Sequence, residues 1–319
     1  MKKRRAGVSP ASLIHPGWKA CVIRIRIFQG VKNNTGLGEG AGAEAPGPLP
    51  QIATLTMNIK QSIRRNFARR AGSYDRHAGV QRLMARELMA GVQAELALPR
   101  RILEVGCGTG YLTALLRQDN PGGKLVALDL DAALVEQARR RLGPDSRVSW
   151  LVADGEFFSQ GGFDLIISNA TFQWFTHPRE TLQAYFQALS PKGCLAFSTL
   201  GPQTFGELDA SLSQAAAAMN LETAPEITAR RFLNSQDWEN LLTLAGFSQV
   251  RLTRQMITAH FPTVPEFLRA LQAMGATNPR PRPYSPRLLN ALIQAYEARF
   301  RQNGSVPATY EVIWALARK

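Results

Sequence analysis

The segment Glu104-Val-Gly-Cys-Gly-Thr-Gly110 decides the fold of this chain. It follows an apolar run and leads into Tyr111-Leu-Thr-Ala-Leu-Leu116. The pattern therefore predicts a strand that ends, turns on three alternate glycines and enters a helix. Glycine has no Cβ, so Gly106, Gly108 and Gly110 would let a ligand come into contact with the backbone. The segment predicts a strand–turn–helix unit with a binding site above the turn.

A second strand end indicates what binds there. The next predicted strand, Lys124–Leu128, ends in Asp129, where a carboxylate can accept hydrogen bonds from both hydroxyls of a ribose. The glycine spacing differs from the Gly-x-Gly-x-x-Gly of dinucleotide sites, which hold a pyrophosphate. Glu104 beside the turn favours a cationic ligand over a phosphate, such as the ammonium and sulfonium of S-adenosylmethionine. We therefore predict this cofactor; a glycine turn with no ligand is the alternative. The predicted cofactor-binding residues in this part of the chain are Glu104, Gly106, Gly108, Gly110, Asp129 and Leu130.

Two more polar residues close the third and fourth predicted strands. Ligands of parallel sheets bind beyond the carboxyl ends of the strands. Asp154 is predicted to accept the adenine amino group, and Asn169 to contact the methionine moiety or the substrate. For each residue taken alone, an ordinary loop position is the alternative.

Three residues are predicted to position the reactants. Gln173 and Trp174 follow Asn169 and are expected on the wall of the reacting cleft. An aromatic face near a sulfonium contributes about 0.5–2 kcal/mol. Tyr74 precedes the sheet and is expected in a lid over the cofactor. For Trp174 and Tyr74, packing in the core or between helices is the alternative.

The order of the elements predicts an α/β fold. Strands and helices alternate from residue 101 to residue 198, which demands right-handed crossovers and a parallel sheet covered on both faces. Two late alternating strands, Gln249–Ile257 and Thr309–Ala317, would add an antiparallel strand. The prediction is a Rossmann-like, mostly parallel sheet of seven strands with an antiparallel last strand and an N-terminal helical lid.

Composition sets outer limits on function. The net charge is +14, which favours an acidic partner, either a nucleic acid or a protein. No apolar run approaches the roughly 20 residues that span a membrane. The cysteines and histidines lack disulfide or metal-ligand spacing, so no metal is predicted, and a reducing, cytoplasmic location is expected.

The chain divides near Met57. Residues 1–56 hold eight basic and two acidic side chains, and their Gly-, Ala- and Pro-rich part is expected to be disordered. They are a basic tail, a targeting peptide, or codons upstream of a true start at Met57, and we favour the last. Residues 57–319 are predicted to form one domain. Its parts are a helical lid (57–98), a cofactor-binding core (99–200), a substrate-lid insertion (201–235) and a completion of the sheet (236–319).

These motifs resemble the class I S-adenosylmethionine-dependent methyltransferases. From Met57 to Lys319, the chain is similar to the malonyl-acyl-carrier-protein O-methyltransferase family of biotin synthesis. The stretches that carry the narrower resemblance are Phe67–His77, Ser168–Trp174, Phe197–Pro202 running into Thr204–Leu208, and Val306–Val312.

The resemblance implies methyl transfer to the free carboxylate of a malonyl thioester, carried by acyl carrier protein or coenzyme A. The ester masks the charge, so fatty-acid elongation can extend the chain toward pimeloyl. A carboxyl with a pKa near 4 is already ionised, so no catalytic acid or base is expected. A cation should orient the substrate. The candidates are Arg69, Arg70, Arg76, Arg280 and Arg282; with Arg82 and Arg86 they could instead form a landing patch for an acidic carrier protein.

Three other functions compete. Relatives that act in respiratory complex I assembly, thought to hydroxylate arginine, share the ending Asn303–Tyr310, but Phe197–Pro202 favours the biotin branch. An RNA methyltransferase would suit the basic charge, yet Asn169-Ala-Thr-Phe is not the loop that grips a flipped base. A non-catalytic scaffold is disfavoured by the intact glycine turn, and nucleic acid is not an expected partner.

Overall fold

The computed structural model describes residues 75–96, 99–120, 122–274 and 284–319. Outside these residues lie the leader, residues 57–74 of the predicted helical lid with Tyr74, and the candidate cations Arg69, Arg70, Arg280 and Arg282. The strands are β1 (Arg101–Val105), β2 (Lys124–Asp129), β3 (Val148–Val152), β4 (Phe163–Asn169), β5 (Leu189–Leu200), β6 (Ser248–Phe261) and β7 (Val306–Arg318). The helices are α1 (Gly79–Glu95), α2 (Tyr111–Asp119), α3 (Ala132–Leu142), α4 (Pro178–Ala188), α5 (Gly206–Ala218), α6 (Ser235–Leu244), α7 (Val264–Ala273) and α8 (Pro286–Phe300).

The strands form one seven-stranded sheet in the order β3-β2-β1-β4-β5-β7-β6. β1 to β5 pair in parallel, and β7 runs antiparallel to both β5 and β6. The predicted mostly parallel sheet with an antiparallel last strand is confirmed. β5 begins at Leu189 and continues the chain directly from α4.

Two apolar layers cover the sheet. Helices α1, α2 and α3 pack on one face, and α4 and α6 pack on the other. Trp238 of α6 is buried against Phe172 and Phe197. Burying a large apolar side chain stabilises the fold by about 1.5–3 kcal/mol, so these layers hold the strand ends in fixed positions.

A third apolar cluster lies beyond the end of β5. β7 pairs with Leu200 at Val312 and continues past it to Val306, paired with Phe261 of β6. Helices α5, α7 and α8 pack together against this extension. The segment after β5 therefore shares its core with the C-terminal helices, and together they form a roof beside the carboxyl ends of the parallel strands.

Buried Glu311 of β7 holds the loop that leads from β5 into this roof. Its side chain is 3% exposed and pairs with Arg254 of β6, and it accepts a hydrogen bond from the Gln203 amide (2.6 Å). A Cβ on Gly201 would lie 2.5 Å from the Glu311 carboxyl carbon. The loop after β5 is thus fixed to the two last strands. Among the described residues, no helix is long and apolar enough to cross a membrane.

Candidate active site

A cleft lies at the carboxyl ends of β1, β2, β3 and β4. It holds about 900 Å³ of space that opens to solvent. The predicted site residues that line it are Gly106, Gly108, Asp129, Leu130, Asp154, Asn169 and Trp174. The structure thus brings together the residues of four successive strand ends, as parallel topology requires. Glu104, Gly110 and Gln173 do not line it, and Tyr74 lies outside the described residues.

The three glycines of the turn serve different purposes. All three have positive φ, which disfavours other residues. A Cβ on Gly106 would lie 2.2 Å from Thr171 Oγ1, and one on Gly110 would lie 2.8 Å from Ala138 Cβ of α3. A Cβ on Gly108 would meet nothing within 4 Å. Gly110 is therefore required for helix packing, whereas Gly108 faces open space in the cleft.

The Asp129 carboxylate is hydrogen-bonded to the turn. Its Oδ2 accepts a hydrogen bond from the Gly108 amide (2.9 Å), and its Oδ1 accepts one from the Asp131 amide (3.0 Å). Burial raises the pKa of Asp129 from 3.8 to about 6, although the amide hydrogen bonds oppose the shift. The two bonds fix the orientation of the carboxylate, and each oxygen keeps a further lone pair for a ligand hydroxyl.

Glu104 lies one residue before the turn, away from the cleft lining. It is 1% exposed. Neither carboxylate oxygen, nor the hydroxyl of Thr113 in α2 that lies near it, has a hydrogen-bond partner within the described part of the chain. Burial raises the pKa of Glu104 to about 8, and the proximity of Asp129 adds to the shift, while Thr113 opposes it. The structure places this carboxyl behind the turn, as a buried group that is costly to ionise.

The amides of Asn169 and Gln173 are engaged with the protein. Asn169 donates from Nδ2 to the carbonyl of Gln81 in α1 (3.1 Å) and accepts from the Ser198 hydroxyl (2.6 Å). Gln173 donates to the carbonyl of Ala170 (2.8 Å) and accepts from Thr199 (3.1 Å). Asn169 thus ties α1 to the cleft rim, and Gln173 supports the rim from behind.

Trp174 forms the wall between cleft and roof. It packs edge-to-face on Phe232, with ring centroids 5.8 Å apart and planes at 82°. Phe232 lies between α5 and α6, in the segment predicted to be a substrate lid. An aromatic pair of this geometry is worth about 0.5–1.5 kcal/mol beyond its buried area. The roof therefore meets the cleft through this contact.

Two acidic residues of the cleft were missed from the sequence. Asp131 caps α3, accepting from the Ala133 amide (2.8 Å). Glu156 is 6% exposed and accepts from the amides of Thr176 (2.7 Å) and His177 (2.6 Å). The helix-capping pattern before α3 could have indicated Asp131. No local signal marks Glu156, because its partners lie 20 residues or more away.

The segment before α1 is attached to the glycine turn. Asp75 accepts a hydrogen bond from the Thr109 hydroxyl (2.7 Å) and forms an ion pair with Arg141 of α3. Thr109 itself lines the cleft. The chain that leads into α1 is therefore held at the cleft mouth. Within the described ranges, no group of three or more His, Cys, Asp and Glu side chains is placed to hold a metal ion.

Comparison with known proteins gives consistent results. Residues 74–252 match the family model of a methyltransferase domain. A curated malonyl-acyl-carrier-protein O-methyltransferase from Anoxybacillus flavithermus is 38% identical over 260 residues, covering 80% of this chain and 96% of the relative. Another, from a Paenibacillus species, is 37% identical over 274 residues, covering 81% of this chain and 98% of the relative.

A solved structure shares the fold at low sequence identity. Phosphoethanolamine N-methyltransferase 2 of Haemonchus contortus, in complex with S-adenosyl-L-methionine, is 16% identical with a TM-score of 0.50. The match covers 78% of this chain and 56% of that chain. At this identity the similarity establishes the fold alone.

Proposed function

The chain belongs to the methyltransferase family of the curated malonyl-acyl-carrier-protein O-methyltransferases, and from this premise we propose its reaction. It transfers a methyl group from S-adenosylmethionine to the free carboxylate of a malonyl thioester. The observation that carries the proposal is the match over nearly the full length of these relatives, 96% in the first case. At 260 residues, the match is much longer than the predicted cofactor-binding core of residues 99–200.

The cleft has the features that the cofactor requires. Gly108 leaves space where any side chain would project, and fixed Asp129 carries free acceptor lone pairs for ribose hydroxyls. Asp154 lies in the lining at the end of the next strand, where we assign it to the adenine amino group. Leu130 supplies apolar surface there, and Asn169 lies on the opposite side, where the methionine moiety would lie. Glu104 does not line the cleft, so we assign it only an indirect part in cofactor binding, from behind the turn.

Bound S-adenosylmethionine supplies an electrophilic methyl group. The protein's own part is to orient the carboxylate in line with that group and to exclude water, which together can supply up to about 7–11 kcal/mol. Because the malonyl carboxylate is already ionised at neutral pH, no side chain needs to remove a proton. Trp174 and Gln173 at the cleft rim, and Tyr74 before the sheet, are the residues that we assign to positioning. Residues 57–98 and 201–235 are assigned as the two lids.

The biological setting follows from the reaction. The malonyl methyl ester would prime the synthesis of a pimeloyl chain for biotin, with the malonyl group carried by acyl carrier protein, or alternatively by coenzyme A. We propose a cytoplasmic location for these steps. Nucleic acid and membrane are not partners in this proposal.

The test is direct. The protein is incubated with methyl-labelled cofactor and malonyl-acyl carrier protein, and a base-labile methyl ester on the carrier is the expected product. Acetyl-acyl carrier protein is the matched control, because it lacks the free carboxylate and should receive no label. Label on both carriers, or on neither, contradicts the proposal. Rescue of a biotin-requiring strain by the gene would then connect the reaction to biotin.

A further inference from the structure

Two arginines lie on α1 at the mouth of the cleft. Elsewhere some exposed arginines, such as Arg101 at the start of β1, donate to a carbonyl group, whereas seven form ion pairs with carboxylates: Arg139, Arg140, Arg147, Arg230, Arg231, Arg254 and Arg301. Arg82 and Arg86 of α1 instead donate to neutral acceptors: Arg82 to the carbonyl of Asp75, and Arg86 to the hydroxyl of Tyr111 at 2.9 Å. Neither has a carboxylate partner among the described residues. Both guanidinium groups are thus held in place with their charge uncompensated.

The position of this pair is unfavourable for the helix itself. Arg82 and Arg86 are four residues apart and therefore neighbours on one face, where like charges destabilise a helix. Arg82 also lies near the N-terminal end of α1, where the helix dipole favours acids, and the first turn contains none. Like-charge repulsion and an unfavourable helix dipole thus act at the same place, which indicates that a negatively charged partner compensates for both.

The surface around the pair is suited to a protein partner. Leu83 lies beside Arg82 on the helix and is 38% exposed. Glu87, the nearest acid on α1, lines a separate groove together with Trp314 on another side of the helix. An apolar side chain next to two fixed cations suits an acidic protein surface with its own apolar residue better than a nucleic-acid backbone. We name Arg82, Leu83 and Arg86 the α1 patch.

The α1 patch borders the proposed site directly. Arg86 holds Tyr111, which follows the glycine turn, and Asp75, whose carbonyl holds Arg82, is bonded through its side chain to cleft-lining Thr109. The carbonyl of Gln81 accepts from cleft-lining Asn169. A protein bound to the patch would therefore lie at the cleft mouth, where a tethered thioester could enter.

We propose that the α1 patch docks the acidic carrier protein that delivers the malonyl thioester, an inference that rests on the proposed function. The patch supplies encounter rate and orientation through its fixed charges, and Leu83 supplies an apolar contact beside them. It takes no part in the methyl transfer itself.

The test compares two substrates and two matched variants. R82Q/R86Q keeps an amide donor for each neutral acceptor but removes two charges. R139Q/R140Q removes two charges from exposed arginines of α3 and is the control. Each protein is assayed with malonyl-acyl carrier protein and with the malonyl thioester of N-acetylcysteamine, which has no carrier to dock.

We expect R82Q/R86Q to raise KM for the carrier substrate about tenfold and to weaken its dependence on salt. Its kcat and its activity on the small thioester should match those of the control. Equal losses on both substrates, or no loss on either, would overturn the proposal.

Binding of labelled malonyl-acyl carrier protein, measured by fluorescence anisotropy, gives a readout that does not need turnover. If the wild-type protein methylates neither substrate, the proposed reaction fails, and docking is then judged by this binding alone. If RNA bound to the patch and the affinity for the carrier protein stayed unchanged, the docking proposal would also be refuted.

Discussion

Replacing Gly108 by alanine should separate cofactor binding from folding. The alanine Cβ would meet no protein atom within 4 Å, but it would project from a residue that lines the cleft. The same replacement at Gly110 places a Cβ 2.8 Å from Ala138 Cβ and 2.9 Å from its Cα. Gly108→Ala therefore fills space that the ligand would occupy, whereas Gly110→Ala pushes α2 away from α3.

The magnitudes follow from these contacts. Both residues have positive φ, 53° and 82°, and alanine in a left-handed conformation costs about 1–2 kcal/mol. Gly110→Ala adds overpacking of about 1–3 kcal/mol, so its total loss of stability should be about 2–5 kcal/mol. Gly108→Ala should lose only the conformational cost of about 1–2 kcal/mol. Its affinity for S-adenosylmethionine should fall at least about tenfold, which corresponds to about 1.4 kcal/mol.

The assay pairs urea unfolding with isothermal titration calorimetry on both variants. Gly108→Ala should lose only about 1–2 kcal/mol of stability in urea, less than Gly110→Ala, but should bind the cofactor poorly. Wild-type affinity in Gly108→Ala would refute the assignment of the cofactor to this turn. Equal destabilisation of the two variants would refute the distinction between their surroundings.

Two further predictions concern carboxylates. The pKa of Asp129 is raised to about 6, so protonation of this carboxylate at lower pH removes the ribose acceptor. Cofactor affinity should therefore be constant above about pH 7 and fall about tenfold per pH unit below about 6. Calorimetry across this range should show no such fall in the Asp129→Asn variant. Glu311→Gln should lower the free energy of unfolding by about 1–3 kcal/mol, because a buried charged hydrogen-bond acceptor is lost. Glu136→Gln, on the exposed pairs of α3, should cause no measurable change in urea unfolding.

The sequence predicted the elements whose signals are local. The glycine turn, the acidic end of β2 and the alternation of strands and helices are each encoded within a few residues. Helix α3 carries such local signals at both ends, since Asp131 caps its start and Gly143 follows its last residue. Strand ends of a parallel sheet must share one edge, which is why Asp129, Asp154 and Asn169 line one cleft.

The parts that the sequence did not reveal depend on distant partners. Glu311 holds Gln203, more than a hundred residues earlier, and Trp174 meets Phe232 across the insertion. The third apolar cluster joins α5 to α7 and α8, although the sequence suggested separate segments for them. Spacing carries no record of these contacts, because they arise only when the sheet has formed.

The same distinction explains why charge alone could not identify the docking arginines. Seven arginines were candidates for the anionic substrate or its carrier, and composition treats them equally. Arg69, Arg70, Arg280 and Arg282 lie outside the described residues. Within them, the fold gives Arg82 and Arg86 neutral acceptors beside the cleft, whereas it gives Arg141, which is also near the cleft, the carboxylate of Asp75. An uncompensated charge is a property of the three-dimensional neighbourhood. A basic residue therefore indicates a partner only where the folded chain has left its charge unpaired.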